Sequence, residues 1–102
     1  MSGWQGRKAH LAMEEAERLA IMALGFIASE ESRLVQFLDV SGYAPADIRA
    51  EANSPHFLAG VLEFLLGDES QLLVFASHAD VDPADVAAAG RLLGGASPSP
   101  GD

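Results

Sequence analysis

The sequence has no cysteine, six basic residues against fifteen acidic ones, one tryptophan and one tyrosine. Without cysteine there is no disulfide, no thiolate metal site and no thiol nucleophile, which fits a reducing cytoplasm. With so few bases and a formal charge of −9, the surface repels phosphate backbones and anionic lipid headgroups, so neither nucleic acid nor a membrane surface is the expected partner. The acidity serves first to keep a small domain soluble. Long hydrophobic runs are also missing. The most apolar stretch, "LAIMALGFIA" at residues 19–28, is half the roughly 20 residues that a membrane span needs. Three glutamates precede it, where a signal peptide carries positive charge. Period-two alternation is absent too, which leaves no candidate strand.

What is present is helical patterning over residues 9–93 of a chain of 102 residues, one domain on length alone. A Gly-containing segment (1–8) precedes it, and a Gly/Pro/Ser-rich one (94–102) follows and is expected to be disordered. Six helices are predicted. The first runs from about Lys8 to Ala28, with Ala12, Ala16, Leu19, Ala23, Phe26 and Ile27 inward and a Glu14–Arg18 pair outward. The second spans about Glu30 to Val40 with a Leu34, Phe37, Leu38 stripe, and Gly42 stops it. The third starts at Pro45, with Asp47 facing its positive end. Ser54 caps the fourth ahead of Pro55, and Asp68 caps the fifth with Gln71 three residues on. Asp82 and Pro83 open the sixth.

The chain repeats itself. Residues 24–52 placed over 62–90 at a constant offset of 38 match at ten of twenty-nine positions, among them Phe26/Phe64, Phe37/Phe75, Pro45/Pro83 and Asp47/Asp85. These are core anchors and helix-start signals rather than chemistry. The expected architecture is therefore an all-α six-helix bundle built from two pseudo-repeats, about 20–52 and 58–90, each a helical hairpin followed by a short helix. One copy cannot bury its apolar face; two can share a core about a pseudo-twofold axis.

The copies differ where the second is more apolar. In the fifth helix Leu72, Leu73, Val74, Phe75 and Ala76 cover every direction, and the fourth helix is also broad. Two readings follow. Helices four and five form a buried central hairpin, or Leu66, Leu73 and Val74 lie on a subunit or partner interface. Trp4, in a segment with little to pack on, folds back on the bundle, stays idle or anchors a short docking segment.

Few residues stand in the spacing of a chemical site. His10, His56 and His78 form no metal-ligand spacing, and the His78, Asp80, Asp82 trio is a weak one. No serine sits in a nucleophile elbow. Glu30, Glu31, Asp68 and Glu69 gather at matching inter-helix turns, where carboxylates stabilise helix N-termini. No catalytic residue, cofactor or metal is assigned.

The stretches "EAERLAIMALGFIA", "LVQFLDVSGYAPADIRAEA", "PHFLAGVLEFLLGDESQLLVFA" and "DPADVAAA" together resemble the domain-of-unknown-function family 3572, known mainly from alphaproteobacteria. The resemblance implies a small helical cytoplasmic bacterial protein and supplies no site residues. The expectation is then a non-enzymatic protein acting through protein–protein contact, as a homodimer or an adaptor. The alternative is a small apolar-ligand or lipid binder, with Met13, Met22 and the phenylalanines lining a pocket between the repeats.

Overall fold

The computed structural model describes residues 12–95; Trp4, His10 and the terminal segments 1–11 and 96–102 lie outside them. Six helices follow in order: α1 (Met13–Ala28), α2 (Glu31–Ser41), α3 (Pro45–Glu51), α4 (Pro55–Leu66), α5 (Glu69–Ala79) and α6 (Pro83–Gly95). No strand occurs among the described residues.

Local chemistry sets the helix starts. Phe57 N–H donates to Ser54 Oγ at the head of α4, and Gln71 N–H to Asp68 Oδ1 at the head of α5. At α3 the position before proline is Ala44, which has no side-chain oxygen. Asp47 compensates in part by reaching back to accept the Ala44 N–H at 2.9 Å. Gly42 ends α2 in the left-handed region at φ 81°, a conformation that costs glycine nothing sterically.

The core is built on α1, α4 and α6. α4 contributes Phe57, Leu58, Ala59, Val61, Leu62 and Leu65, all buried. α1 turns Ala16, Leu19, Ala20, Ala23 and Ile27 toward it. The three alanines let the α1 backbone come close, as small residues in a helix face do. α6 lies across both, packing more extensively on α4 than any other helix does. Gly90 is buried at that contact, where an added β-carbon would stand 3.4 Å from Leu66 Cδ1, an ordinary van der Waals distance. Of the stripe expected on the first helix, Phe26 is only half-buried and Ala12 is exposed. Glu14 and Arg18 do not close within 4 Å; the ion pair found among the described residues is Arg33–Glu30.

The central hairpin expected from helices four and five is half realised. α4 is central, but α5 buries only Phe75 and Ala76. The place beside α4 goes to α6, whose small Ala89 and Gly90 fit it.

The repeat is visible in three dimensions. At offset 38, Leu19/Phe57, Ala20/Leu58, Ala23/Val61, Ile27/Leu65 and Phe37/Phe75 are buried in both copies. The rings cross between copies reciprocally. Phe26 meets Phe75 at 5.4 Å, and the equivalent pair, Phe64 and Phe37, meets at 5.5 Å. α2 packs on α4 just as α5 packs on α1. A reciprocal exchange of this kind is what a pseudo-twofold axis between the hairpins produces.

Candidate functional site: two related clefts and the outer face of α5

The surface carries two clefts that are copies of each other. The larger, about 570 Å³, lies between α2 and α4 and is lined by Phe37, Val40, Ser41, Gly60, Glu63 and Phe64. The smaller, about 340 Å³, lies between α5 and α1 and is lined by Phe75, His78, Ala79, Met22, Gly25 and Phe26. Each residue of the second set stands 38 positions from its counterpart in the first. Each cleft is therefore bounded by a second hairpin helix from one repeat and a first hairpin helix from the other.

The exchanges between them decide their character. Met22 in the smaller cleft corresponds to Gly60 in the larger, where an added side chain would meet nothing within 4 Å. His78 corresponds to Val40, which is 74% exposed. Gly25 corresponds to Glu63, which has no cationic partner within 4 Å among the described residues. Tyr43 and His56 also line the larger cleft, and Tyr43 is fixed edge-on against the buried Phe57 ring at 4.9 Å.

The predicted interface residues fall in different places. Leu73 and Val74 face solvent on α5, at 50% and 55% exposure. With Ser77 and His78 they line a shallow depression. His78 also borders the smaller cleft, so this face continues to Met22. Leu66 is half-buried and packs toward α6 beside Gly90. Trp4 lies outside the described residues. Of the two methionines considered for a pocket, Met22 lines the smaller cleft and Met13 packs against the core. Val40, Gly60 and Glu63 were not singled out in the sequence. The signal was there: carrying the offset two residues upstream of Leu24 sets Gly60 under Met22.

The acids at the turns are engaged locally. Glu30 pairs with Arg33 at 2.7 Å, and Arg33 also donates to the Phe26 carbonyl and lies 4.1 Å from its ring centroid. Asp68 accepts from the backbone and side chain of Gln71. Asp82 accepts the Ala84 N–H at 3.0 Å. Among the described residues no group of three or more metal-ligating side chains converges, and no helix is long and apolar enough to cross a membrane.

No curated protein and no solved structure matches the chain. The family described as a protein of unknown function, DUF3572, matches residues 13–96, and the chain belongs to that family.

Proposed function

We propose that this is a non-enzymatic module that works by contact with another protein. The observation that carries the reading is the outer face of α5, where Leu73 and Val74 stand half-exposed and run on over His78 to Met22. That face exposes on the order of 200–300 Å² of apolar surface, no more than the largest patch on an ordinary monomer. An obligate dimer buries several times more, so the contact is transient. The paired acids support the non-enzymatic side of the reading, because Glu30 and Asp68 already have capping and pairing duties.

Light scattering over a concentration series, on the wild type and Val74→Gln, tests it. The substitution at a half-exposed site is expected to change stability by less than ~0.5 kcal/mol. A dimer that dissociates in the variant identifies the second copy as the partner. A monomer in both, equally stable, means that Val74 is exposed and unused by self-association, and a pull-down with wild type and Val74→Gln then tests the face against other proteins. A variant that unfolds puts Val74 in the core and removes the reading.

A further inference from the structure

The protein contains its own template for what the larger cleft lacks. In the smaller cleft, Met22 from α1 lies with Phe26 and Phe75. In the larger, the same position is Gly60, with open space beyond its α-carbon, over the equivalent rings Phe64 and Phe37. The cleft without the methionine is the more voluminous, about 570 against 340 Å³, and it also extends over Tyr43, His56, Ala59 and Gly94, which have no counterpart in the lining of the smaller one. Val40 adds an exposed apolar wall where the other cleft has His78. Glu63 adds a carboxylate with no cationic partner within 4 Å among the described residues, where the other has Gly25.

We propose that the α2–α4 cleft seats a basic amphipathic helix of a partner protein. One apolar side chain of that helix enters the volume beside Phe37 and Phe64, at the position equivalent to the one from which Met22 lines the twin cleft, and a lysine or arginine pairs with Glu63. The proposal rests on the protein-contact reading but does not use the α5 face.

Three observations select this occupant. The cleft follows α4 from His56 to Phe64, roughly 12 Å at 1.5 Å per residue, which is the reach of two turns of a helix laid in a groove. Residues 12–95 hold fourteen acids against four arginines, so a cationic segment is drawn to this surface and a second copy of the chain is repelled. A fatty acid would bring its own carboxylate to Glu63. An apolar small ligand also requires enclosure of most of its surface, whereas this cleft is only partly enclosed.

The test is a titration of the isotope-labelled full chain, followed by amide chemical shifts, with two synthetic helical peptides of about 14 residues. Both carry the same Leu/Met face; one has lysines on its polar side and the other glutamates. Decanoate is the third probe. The lysine peptide is expected to bind and to shift the amides of Val40, Gly60 and Glu63. Gly60→Met, which copies the arrangement at Met22, is expected to weaken it by about tenfold or more. Glu63→Gln is expected to weaken it by about threefold, and Val74→Gln to leave it unchanged. A thermal melt of Gly60→Met at or above the wild-type midpoint shows that the filled cleft is still folded.

Shifts confined to Leu73 and Val74 would overturn the seat while leaving the protein-contact reading in place. Equal binding of the two peptides, no binding of either, or full binding by Gly60→Met overturns the seat as well. Decanoate binding in the cleft without peptide binding overturns the seat, while the protein-contact reading, carried by the α5 face, is tested separately by the light scattering of Val74→Gln.

Discussion

α3 and α6 both open on Pro-Ala-Asp, at Pro45 and Pro83, yet α3 buries no side chain while α6 buries Val86, Ala89, Gly90 and Leu93. The difference lies after the shared start. Where α6 has Ala89, α3 has Glu51; where α6 has Leu93, the first repeat has Pro55, already the start of α4. A carboxylate at the inward position forbids burial without a cation, and the proline ends the space in which α3 could lengthen. A start signal fixes where a helix begins, and the face it presents decides whether the helix joins the core. The two hairpins keep their twofold relation, and the third helices break it.

The largest expected effect comes from forcing α6 to resemble α3. Ala89→Glu puts an unpaired charge at a fully buried site and is expected to cost about 4–5 kcal/mol, a large part of the stability of a domain this size. The reciprocal Glu51→Ala, on an exposed helix face, is expected to stay within ~0.5 kcal/mol. Urea unfolding of both variants checks this. A loss below ~2 kcal/mol in Ala89→Glu would mean that α6 is displaceable and the comparison fails.

The hairpins should instead respond alike. Phe37 and Phe75 are both buried and each meets a half-buried phenylalanine of the other repeat. Phe37→Ala and Phe75→Ala are each expected to cost about 3–5 kcal/mol. Phe37 also touches the Phe57 ring, at 6.0 Å edge-to-face, which adds about 0.5–1.5 kcal/mol on its side. A gap between the two variants well above that would mean that the pseudo-twofold is geometric and not energetic.

These contrasts mark what could be read from the chain. The starts at Pro45, Pro55 and Pro83, the caps Ser54 and Asp68 and the stop at Gly42 were legible, because capping joins residues two to four apart. The offset of 38 was legible because anchor residues recur. The fate of α5 was not. Its apolar residues point every way, but whether they are covered depends on α6 packing beside α4, a contact between segments distant in sequence. The larger cleft was hard to read for a related reason. It is defined by a side chain that is missing at Gly60, and its importance appears only once Met22 and the crossed phenylalanines are seen around the equivalent position.

A smaller asymmetry sits at the two hairpin turns. Arg33 covers the Phe26 ring and donates to the Phe26 carbonyl at 2.8 Å. Its counterpart Gln71 leaves a buried Oε1 without a partner. Arg33→Gln is expected to lose about 1 kcal/mol, mostly from the ring and carbonyl contacts, since the Glu30 side is exposed and counts for little. Gln71→Arg, with Asp68 in the place of Glu30 and Phe64 in that of Phe26, is expected to gain about 0.5–1 kcal/mol. Melts in 1 M salt sharpen the point. If the loss in Arg33→Gln disappears with salt, the ion pair carried it and the symmetry argument for Gln71→Arg falls.

The finest difference is at the ends of α2 and α5. Gly42 and Asp80 are the two positive-φ residues among those described, again 38 apart, at φ 81° and 59°. The same backbone turn thus carries two side-chain solutions. An L-residue in the left-handed region pays about 1–2 kcal/mol, less for aspartate than for most. Asp80 also sets a negative charge at the negative end of the α5 dipole. Gly42→Ala is expected to destabilise by about 1 kcal/mol, and Asp80→Gly to stabilise by about 0.5–1 kcal/mol. Asp80→Asn separates the two causes, because it removes the charge while keeping a residue that tolerates the conformation. If Asn recovers most of the gain seen with Gly, the dipole dominates. If it recovers little, the backbone conformation does, and Gly42 is then the better of the two stops for steric reasons alone.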